Sequence, residues 1–184
     1  MEKEQIILGV DPGTTVMGFG ILRVKGKKLE VLELNTVMLH KLGDHYLKLK
    51  RIFERTLQII DEHNPDHLAI EAPFFGKNVQ SMLKLGRAQG VVMAAALYRD
   101  IPLTEYAPKK IKQSITGTGN ASKEQVSFML KQMLNLKSVP KDFDATDGLA
   151  AAVCHHLQQK NPAMGQKSAS NWAAFIKQNP DRKL

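Results

Sequence analysis

Cysteine and long apolar segments are the clearest absences from this chain. Its 184 residues include a single cysteine, Cys154, so no internal disulfide can form and nothing indicates an oxidising compartment. No apolar run approaches the roughly 20 residues that a membrane-spanning helix needs, and residues 1–5 carry no signal-peptide core. We therefore expect a cytoplasmic protein that makes no contact with a membrane.

The composition is that of an ordinary globular domain with an excess of basic residues. Hydrophobic residues make up 43% and charged residues 24% of the chain, which is long enough for one domain with a real core. Lys and Arg number 26 against 18 Asp and Glu, giving a net charge of +8. A basic surface gathers phosphates, so the charge favours a nucleic-acid partner. A charge that only keeps the protein in solution remains the alternative.

Four carboxylates occur where predicted strands end or a predicted helix begins. Asp11 and Glu71 each end a short apolar run, and Asp144 and Asp147 lie three residues apart, on one helix face. A carboxylate at the end of a buried strand is costly without a partner, whereas several together hold hard divalent cations. Acids in the first turn of a helix also favour its dipole, so a structural role is an open alternative for Asp144 and Asp147. The combination indicates metal-dependent chemistry on a phosphate backbone.

Hydrophobic periodicity and turn residues predict an α/β domain. Strands are predicted over residues 5–11, 17–25, 28–39, 67–71 and 103–106, and helices over 44–63, 79–98, from 108 onward, 122–136 and 142–159. Three consecutive strands followed by alternating helices and strands form a mixed sheet. Ligands bind at strand ends in such sheets, and Asp11 meets Glu71 there if the first and fourth strands are neighbours.

The predicted domain covers residues 1–160. Residues 161–184 form a polar C-terminal tail, whose weak pattern allows flexibility and at most one helical turn at Trp172–Ile176. The chain contains no internal repeats.

The segment that begins at Asp11 resembles two groups of proteins. Residues 11–15 with Gly18 and Gly20 are similar to the first phosphate loop of the actin, sugar-kinase and Hsp70 ATPases and to the opening of RNase H-like nucleases. A plain hairpin also fits this motif taken alone. The ATPase superfamily repeats its fold in two lobes, and this chain has room for one. A non-catalytic RNase H-like binding module would be expected to have lost one or more carboxylates, and all four are present.

Four segments taken together resemble one family. Residues 7–13 (ILGVDPG), 69–71 (AIE), 83–90 (LKLGRAQG) and 144–150 (DATDGLA) are similar in identity, order and spacing to the RuvC family, bacterial endonucleases that resolve Holliday junctions. The resemblance spans about residues 5–160. It implies an RNase H-like fold with a mixed five-stranded sheet and helices on both faces, a homodimer, and a four-way DNA junction as substrate. It also implies cooperation with the RuvA–RuvB branch-migration motor.

The resemblance assigns the four carboxylates a catalytic role. It implies that Asp11, Glu71, Asp144 and Asp147 hold two Mg²⁺ ions, replaceable by Mn²⁺, with Asp11 as the bridging ligand. One ion would activate a water that attacks phosphorus, and the other would stabilise the departing 3′ oxygen. The products would carry 5′-phosphate and 3′-hydroxyl ends.

The resemblance also indicates residues that contact DNA. Lys112 and Lys123 match basic positions near the scissile phosphate and the junction backbone, although a solvated helix face is the alternative for each. Phe74 matches an aromatic residue beside the junction centre, where an exposed ring can stack on an unpaired base. The adjacent Phe75 leaves open which of the two rings is exposed.

Two further pairs of residues lie on predicted helices. Glycine inside a helix lowers helix stability by roughly 1 kcal/mol relative to alanine. Close packing should therefore offset this cost at Gly86 and Gly90. The family implies a dimer interface there, and packing on the protein's own sheet is the alternative. His155 and His156 follow the last acidic motif, and we expect them at the helix surface or beside the helix C-terminus, where they favour the dipole.

Overall fold

The computed structural model, which describes residues 4–73, 78–138, 140 and 143–160, contains one five-stranded sheet with helices on both faces. The strands are β1 (Glu4–Asp11), β2 (Val16–Lys25), β3 (Lys28–Met38), β4 (His67–Glu71) and β5 (Leu103–Tyr106). The helices are α1 (His45–His63), α2 (Val79–Tyr98), α3 (Pro108–Thr116), α4 (Lys123–Met133) and α5 (Phe143–Lys160). The predicted α/β class is confirmed, and the predicted element bounds differ from these by three residues at most.

The order of the strands is β3-β2-β1-β4-β5. β1 pairs antiparallel with β2, and β2 pairs antiparallel with β3, because short turns join them. β1 pairs parallel with β4, and β4 pairs parallel with β5, each after a helical crossover. The sheet is therefore mixed, and the first and fourth strands are neighbours, which is the condition for Asp11 and Glu71 to meet.

Alternation along β1 assigns each side chain to one of two hydrophobic layers. Leu8 and Val10 pack in the layer that contains residues of α1 and α2, whereas Ile7 packs with residues of α3, α4 and α5. Successive strand residues point to opposite faces, so Asp11 lies on the face of Ile7. That face is covered by α5.

The start of α4 is set by a capping box, in which Ser122 is the N-cap. The Ser122 hydroxyl accepts a hydrogen bond from the backbone N–H of Gln125 at 3.3 Å, and the Gln125 side chain accepts one from the N–H of Ser122 at 2.8 Å. Lys123 is consequently the first residue of the helix. α4 ends at Met133, earlier than predicted, and Asn135 adopts a left-handed conformation with φ of 49°.

The prediction that His155 and His156 lie at the surface is wrong. Both are buried, at 4% and 3% exposure, because α5 packs against β1 and β2 on one side and against α3 and α4 on the other. The His155 ring stacks on His67 with centroids 3.9 Å apart, and its Nδ1 lies 2.8 Å from the Tyr106 hydroxyl. Burial, together with His67 and His156, lowers the pKa of His155 to about 4. The ring is therefore neutral at pH 7.

Several predicted features lie outside the described residues. They are Phe74, Phe75 and the tail over residues 161–184, so the division into a domain and a tail stays a prediction. No helix in the described part of the chain is long and apolar enough to span a membrane. Cys154 is buried in α5.

Candidate active site

Strand register brings Asp11 and Glu71 together. Val10 pairs with Ile70 across the parallel β1–β4 ladder, and Asp11 and Glu71 are the next residue of each strand. In β4, Ala69 packs in the layer of α5, so alternation turns Glu71 toward α5 as well. The two carboxylates therefore end adjacent strands at one level and on one face.

Glycines let α5 approach the sheet closely enough to add its own carboxylates. Gly18 of β2 is the antiparallel partner of Asp11, and a Cβ on Gly18 would collide with the backbone carbonyl of Asp144. A Cβ on Gly148 would lie 2.7 Å from the Cα of Phe19, which is also too close. These missing side chains allow the first turns of α5 to rest on β2, beside Asp11.

The four predicted carboxylates line two neighbouring cavities. Asp11, Glu71 and Asp147 line a cavity of about 80 Å³. Asp11, Glu71 and Asp144 line a second cavity of about 250 Å³, next to the loop that follows β1. Asp11 and Glu71 thus line both cavities, one together with Asp147 and the other together with Asp144. The structure brings together all four residues that the sequence singled out.

Burial and mutual repulsion make these acids unusually weak. Burial, with Asp147 and Asp144 adding to it, raises the pKa of Asp11 to about 7. Burial, with Asp11 and Asp147 adding to it, raises the pKa of Glu71 to about 8. Burial also raises the pKa of Asp147, although Lys123 opposes that rise. Crowding of carboxylates without enough positive charge is typical of functional sites.

Both predicted lysines line the smaller cavity. The Lys123 ammonium forms an ion pair with Asp147, whose side chain is 15% exposed. Burial lowers the pKa of Lys123, but the ion pair with Asp147, together with the charges of Asp11 and Asp144, outweighs burial and leaves that pKa raised. Lys112, in α3, lowers the pKa of Glu71 and of Asp147 against the effect of burial. Neither lysine is simply part of a solvated helix face.

The donor set fits a hard divalent cation. Asp11, Glu71, Asp144 and Asp147 offer carboxylate oxygens, the ligands that Mg²⁺ and Mn²⁺ prefer. The Lys123 ammonium already takes the position of a cation beside Asp147. A divalent ion would supply more of the missing positive charge and would lower the raised pKa of each acid it binds.

A second acidic group, which sequence reasoning does not reveal, lies between β3 and the end of α1. Glu33, Glu62 and His63 are the group of described residues whose metal-ligand atoms all lie within 4.8 Å of one another. Arg55 lies 3.9 Å from Glu33 and 3.3 Å from Glu62, and His63 Nε2 lies 2.8 Å from Glu33 Oε2. Because Arg55 contacts both carboxylates and His63 contacts Glu33, we interpret the group as an ion-pair network that joins α1 to β3.

Known proteins resemble the chain over most of its length. The family model described as crossover junction endodeoxyribonuclease RuvC matches residues 7–155. Proteins with this name from Christiangramia forsetii and Bacteroides fragilis are 61% and 63% identical, each over 182 residues. These matches cover 99% and 98% of this chain and 94% and 96% of the relatives. They therefore extend into residues 161–184, beyond the end of the family model.

A solved structure extends the likeness to three dimensions. The structure of Thermus thermophilus RuvC in complex with a Holliday junction substrate superposes with a TM-score of 0.80 at 32% identity. The match covers 88% of this chain and 96% of that one, which confirms the RNase H-like fold expected from the sequence. The chain belongs to the RuvC family of crossover junction endodeoxyribonucleases.

Proposed function

We propose that this protein resolves four-way DNA junctions by metal-dependent hydrolysis of two phosphodiester bonds. The observation that carries the proposal is the convergence of Asp11, Glu71 and Asp147 with Lys112 and Lys123 on one cavity. Carboxylates that hold cations lie there beside ammonium groups that attract phosphate. The relative from Thermus thermophilus, solved with a Holliday junction substrate, supports the choice of DNA structure.

The four carboxylates hold the metal in this proposal. Membership of this nuclease family implies a divalent metal, and we propose two Mg²⁺ ions per site, with Mn²⁺ able to substitute. Bound ions would lower the pKa of an attacking water and offset charge on the departing 3′ oxygen, and departure of that oxygen gives 5′-phosphate and 3′-hydroxyl ends. Asp11 lines both cavities, which makes it the best candidate for a shared ligand. Asp11 and Glu71 must lose their protons to serve as ligands.

The two lysines position and neutralise the DNA phosphates. Lys123 is paired with Asp147, and it can contact a phosphate once Asp147 binds another cation. Lys112 lines the same cavity from α3. Phe74, three residues after Glu71 in the sequence, is proposed to stack on a base that is unpaired at the junction centre.

Paired cleavage requires two active sites, and the outer face of α2 supports a homodimer. Among the described residues, no atom lies within 4 Å of a Cβ placed on Gly86 or Gly90, so these glycines do not serve packing on the protein's own sheet. Leu83 and Leu97 on the same helix are 50% and 60% exposed. An exposed apolar face with small residues at its centre suits close approach of a second copy about a two-fold axis.

Two further predictions concern the cellular setting. Cooperation with the RuvA–RuvB motor predicts that this protein co-purifies with that complex on junction DNA. Failure to recover this protein, RuvA–RuvB and the junction together would contradict the prediction. A cytoplasmic location without membrane association predicts that the protein stays in the supernatant when membranes are sedimented. Recovery in the membrane fraction would contradict that location.

Cleavage of a synthetic four-way junction, compared with a linear duplex of the same sequence, tests the proposed function. With Mg²⁺ we expect paired nicks in the junction that a ligase can seal, and with a chelator we expect none. Equal cleavage or equal affinity for duplex and junction in the same salt would indicate a general nuclease. Junction binding without cleavage would indicate a non-catalytic binding module.

A further inference from the structure

A groove between α3 and α4 lies apart from the carboxylates. It has a volume of about 390 Å³, within the range of roughly 300–1,000 Å³ for ligand clefts. Residues that line it include Thr116, Ala121, Glu124, Phe128 and Met129. On α4, Lys123 and Val126 line the carboxylate cavity instead. The helix therefore separates the groove from the candidate active site.

The groove exposes apolar groups. Phe128 is 61% exposed, and the ring borders the groove together with Met129 and Ala121. A single exposed aromatic ring is ordinary, but an exposed ring in a concave apolar groove is typical of a docking surface. Glu124, one turn before Phe128, adds a carboxylate to the same surface.

The C-terminal end of the described fold contacts α3, the helix that also contributes to this groove. Near the end of α5, the Gln158 side-chain amide donates a hydrogen bond to the Ser114 hydroxyl of α3 at 3.0 Å. Thr116, two residues after Ser114, lines the groove. Residues two apart on a helix point in nearly opposite directions, so the end of α5 and the groove lie on different sides of α3, separated by about the 10 Å width of a helix. An extended chain spans up to about 3.3–3.6 Å per residue, so the residues from Lys160 to Trp172 can cover a distance of roughly 40 Å.

The segment that follows α5 has chemistry that matches the groove. It contains Trp172, the only tryptophan of the chain, with Phe175 and Ile176 three and four residues later. In a helix, this spacing would put all three on one face. Lys177 comes next and can pair with Glu124. The relatives from Christiangramia forsetii and Bacteroides fragilis match this chain beyond the family model, into this segment.

We propose that residues 172–177 dock in the α3–α4 groove of their own chain, with the apolar side chains against Phe128 and Met129 and Lys177 beside Glu124. The groove is a docking surface for a segment of the same chain, and docking requires neither metal nor DNA. The proposal is independent of the proposed nuclease function, because neither Glu124, Phe128 nor Met129 lines the carboxylate cavities.

The single tryptophan allows a direct test on the full-length protein. We expect the fluorescence of Trp172 to be blue-shifted and shielded from acrylamide relative to a free peptide of residues 165–184. Phe128→Lys should shift the emission and the quenching constant to those of the peptide. Tyr46→Lys, at a side chain that is 73% exposed on α1, is the matched control and should leave both unchanged.

Charge exchange provides a second test that does not alter the apolar surface. Glu124→Lys should increase acrylamide quenching, and the double variant with Lys177→Glu should restore the wild-type value. The proposal is overturned if Trp172 is as exposed as in the peptide, if its shielding survives Phe128→Lys, or if the double variant does not restore the wild-type value. Shielding that is lost on dilution would place the segment in the groove of a second copy, and that result also overturns docking within one chain.

Discussion

Lys123 and Asp147 form an ion pair that joins the first turn of α4 to α5 at the carboxylate cavity. Burial raises the pKa of Asp11, Glu71 and Asp147, and Lys123 opposes the rise in all three. The lysine therefore compensates part of the negative charge that four carboxylates place in one region. By lowering the pKa of these acids, Lys123 favours the deprotonated carboxylates that can bind metal.

Removal of the ammonium in Lys123→Met should move the pH–rate profile of junction cleavage to higher pH. Without the lysine, the three pKa values rise further, so the acids lose their protons, as metal ligands must, only at higher pH. At a pH below the raised pKa of a metal ligand, each further rise of that pKa by one should lower the rate about tenfold. The profile is measured at fixed Mg²⁺, with Lys131→Met on the exposed side of α4 as control. An unchanged profile with weaker DNA binding would mean that Lys123 only contacts phosphate.

Gly18→Ala should damage both stability and cleavage, because the added methyl would collide with the backbone of Asp144. Forced separation of α5 from β2 should cost about 1–3 kcal/mol in the free energy of unfolding, the usual cost of overpacking. Urea unfolding and junction cleavage are the measurements. Gly43→Ala is the control, since a Cβ there meets no atom of the described residues within 4 Å. Wild-type behaviour of Gly18→Ala would show that close approach of α5 is not needed.

Gly90→Glu should convert the proposed homodimer to a monomer, because a buried, unpaired carboxylate in a close helix contact is costly. Light scattering of the two proteins at equal concentration measures the change, and paired nicking should become single nicking. Gly43→Glu introduces the same charge at another open glycine and should remain dimeric. A dimeric Gly90→Glu variant would place the interface elsewhere.

Phe74→Ala should slow cleavage of an intact junction by about ten- to a hundredfold, since stacking on one base contributes roughly 1–3 kcal/mol. The Mg²⁺ concentration for half-maximal rate should not change, and a junction with unpaired bases at its centre should recover part of the rate. The same assays on Phe75→Ala decide which ring acts on the junction. If neither variant affects cleavage and both unfold at the wild-type temperature, no aromatic side chain opens the junction.

Local pattern is enough to find the carboxylates, because strand side chains alternate in direction. Apolar runs that end at Asp11 and Glu71 place both acids at the ends of buried strands, and helical spacing places Asp144 and Asp147 on one face. Asp11 meets Glu71 because β1 and β4 are neighbours in the sheet. Asp144 comes close to Asp11 because Gly18 has no side chain. Neither relation can be derived from local periodicity.

The local sequence pattern also does not reveal how many sides of a helix are covered by other elements. Sequence alone favours a surface position for His155 because one covered side is the usual case for a helix, whereas α5 is covered on two sides and its His155 contacts Tyr106 across the core. For a similar reason, the sequence does not predict the ion-pair network of Arg55, Glu33 and His63. Glu33 and His63 are 30 residues apart in the chain, and only the packing of α1 on the sheet brings them together.

Cleavage and binding by Asp11→Asn, measured on the same four-way junction, test the metal-carboxylate mechanism most directly. The amide keeps the shape of the side chain and removes the charge that holds a divalent cation. We expect the cleavage rate with Mg²⁺ to fall by roughly 10²–10³-fold or more, the scale of losing one group that stabilises the transition state. Affinity for the junction at the same salt should be retained, because basic groups provide most of the binding. Cleavage by Asp11→Asn at a near wild-type rate would contradict the mechanism.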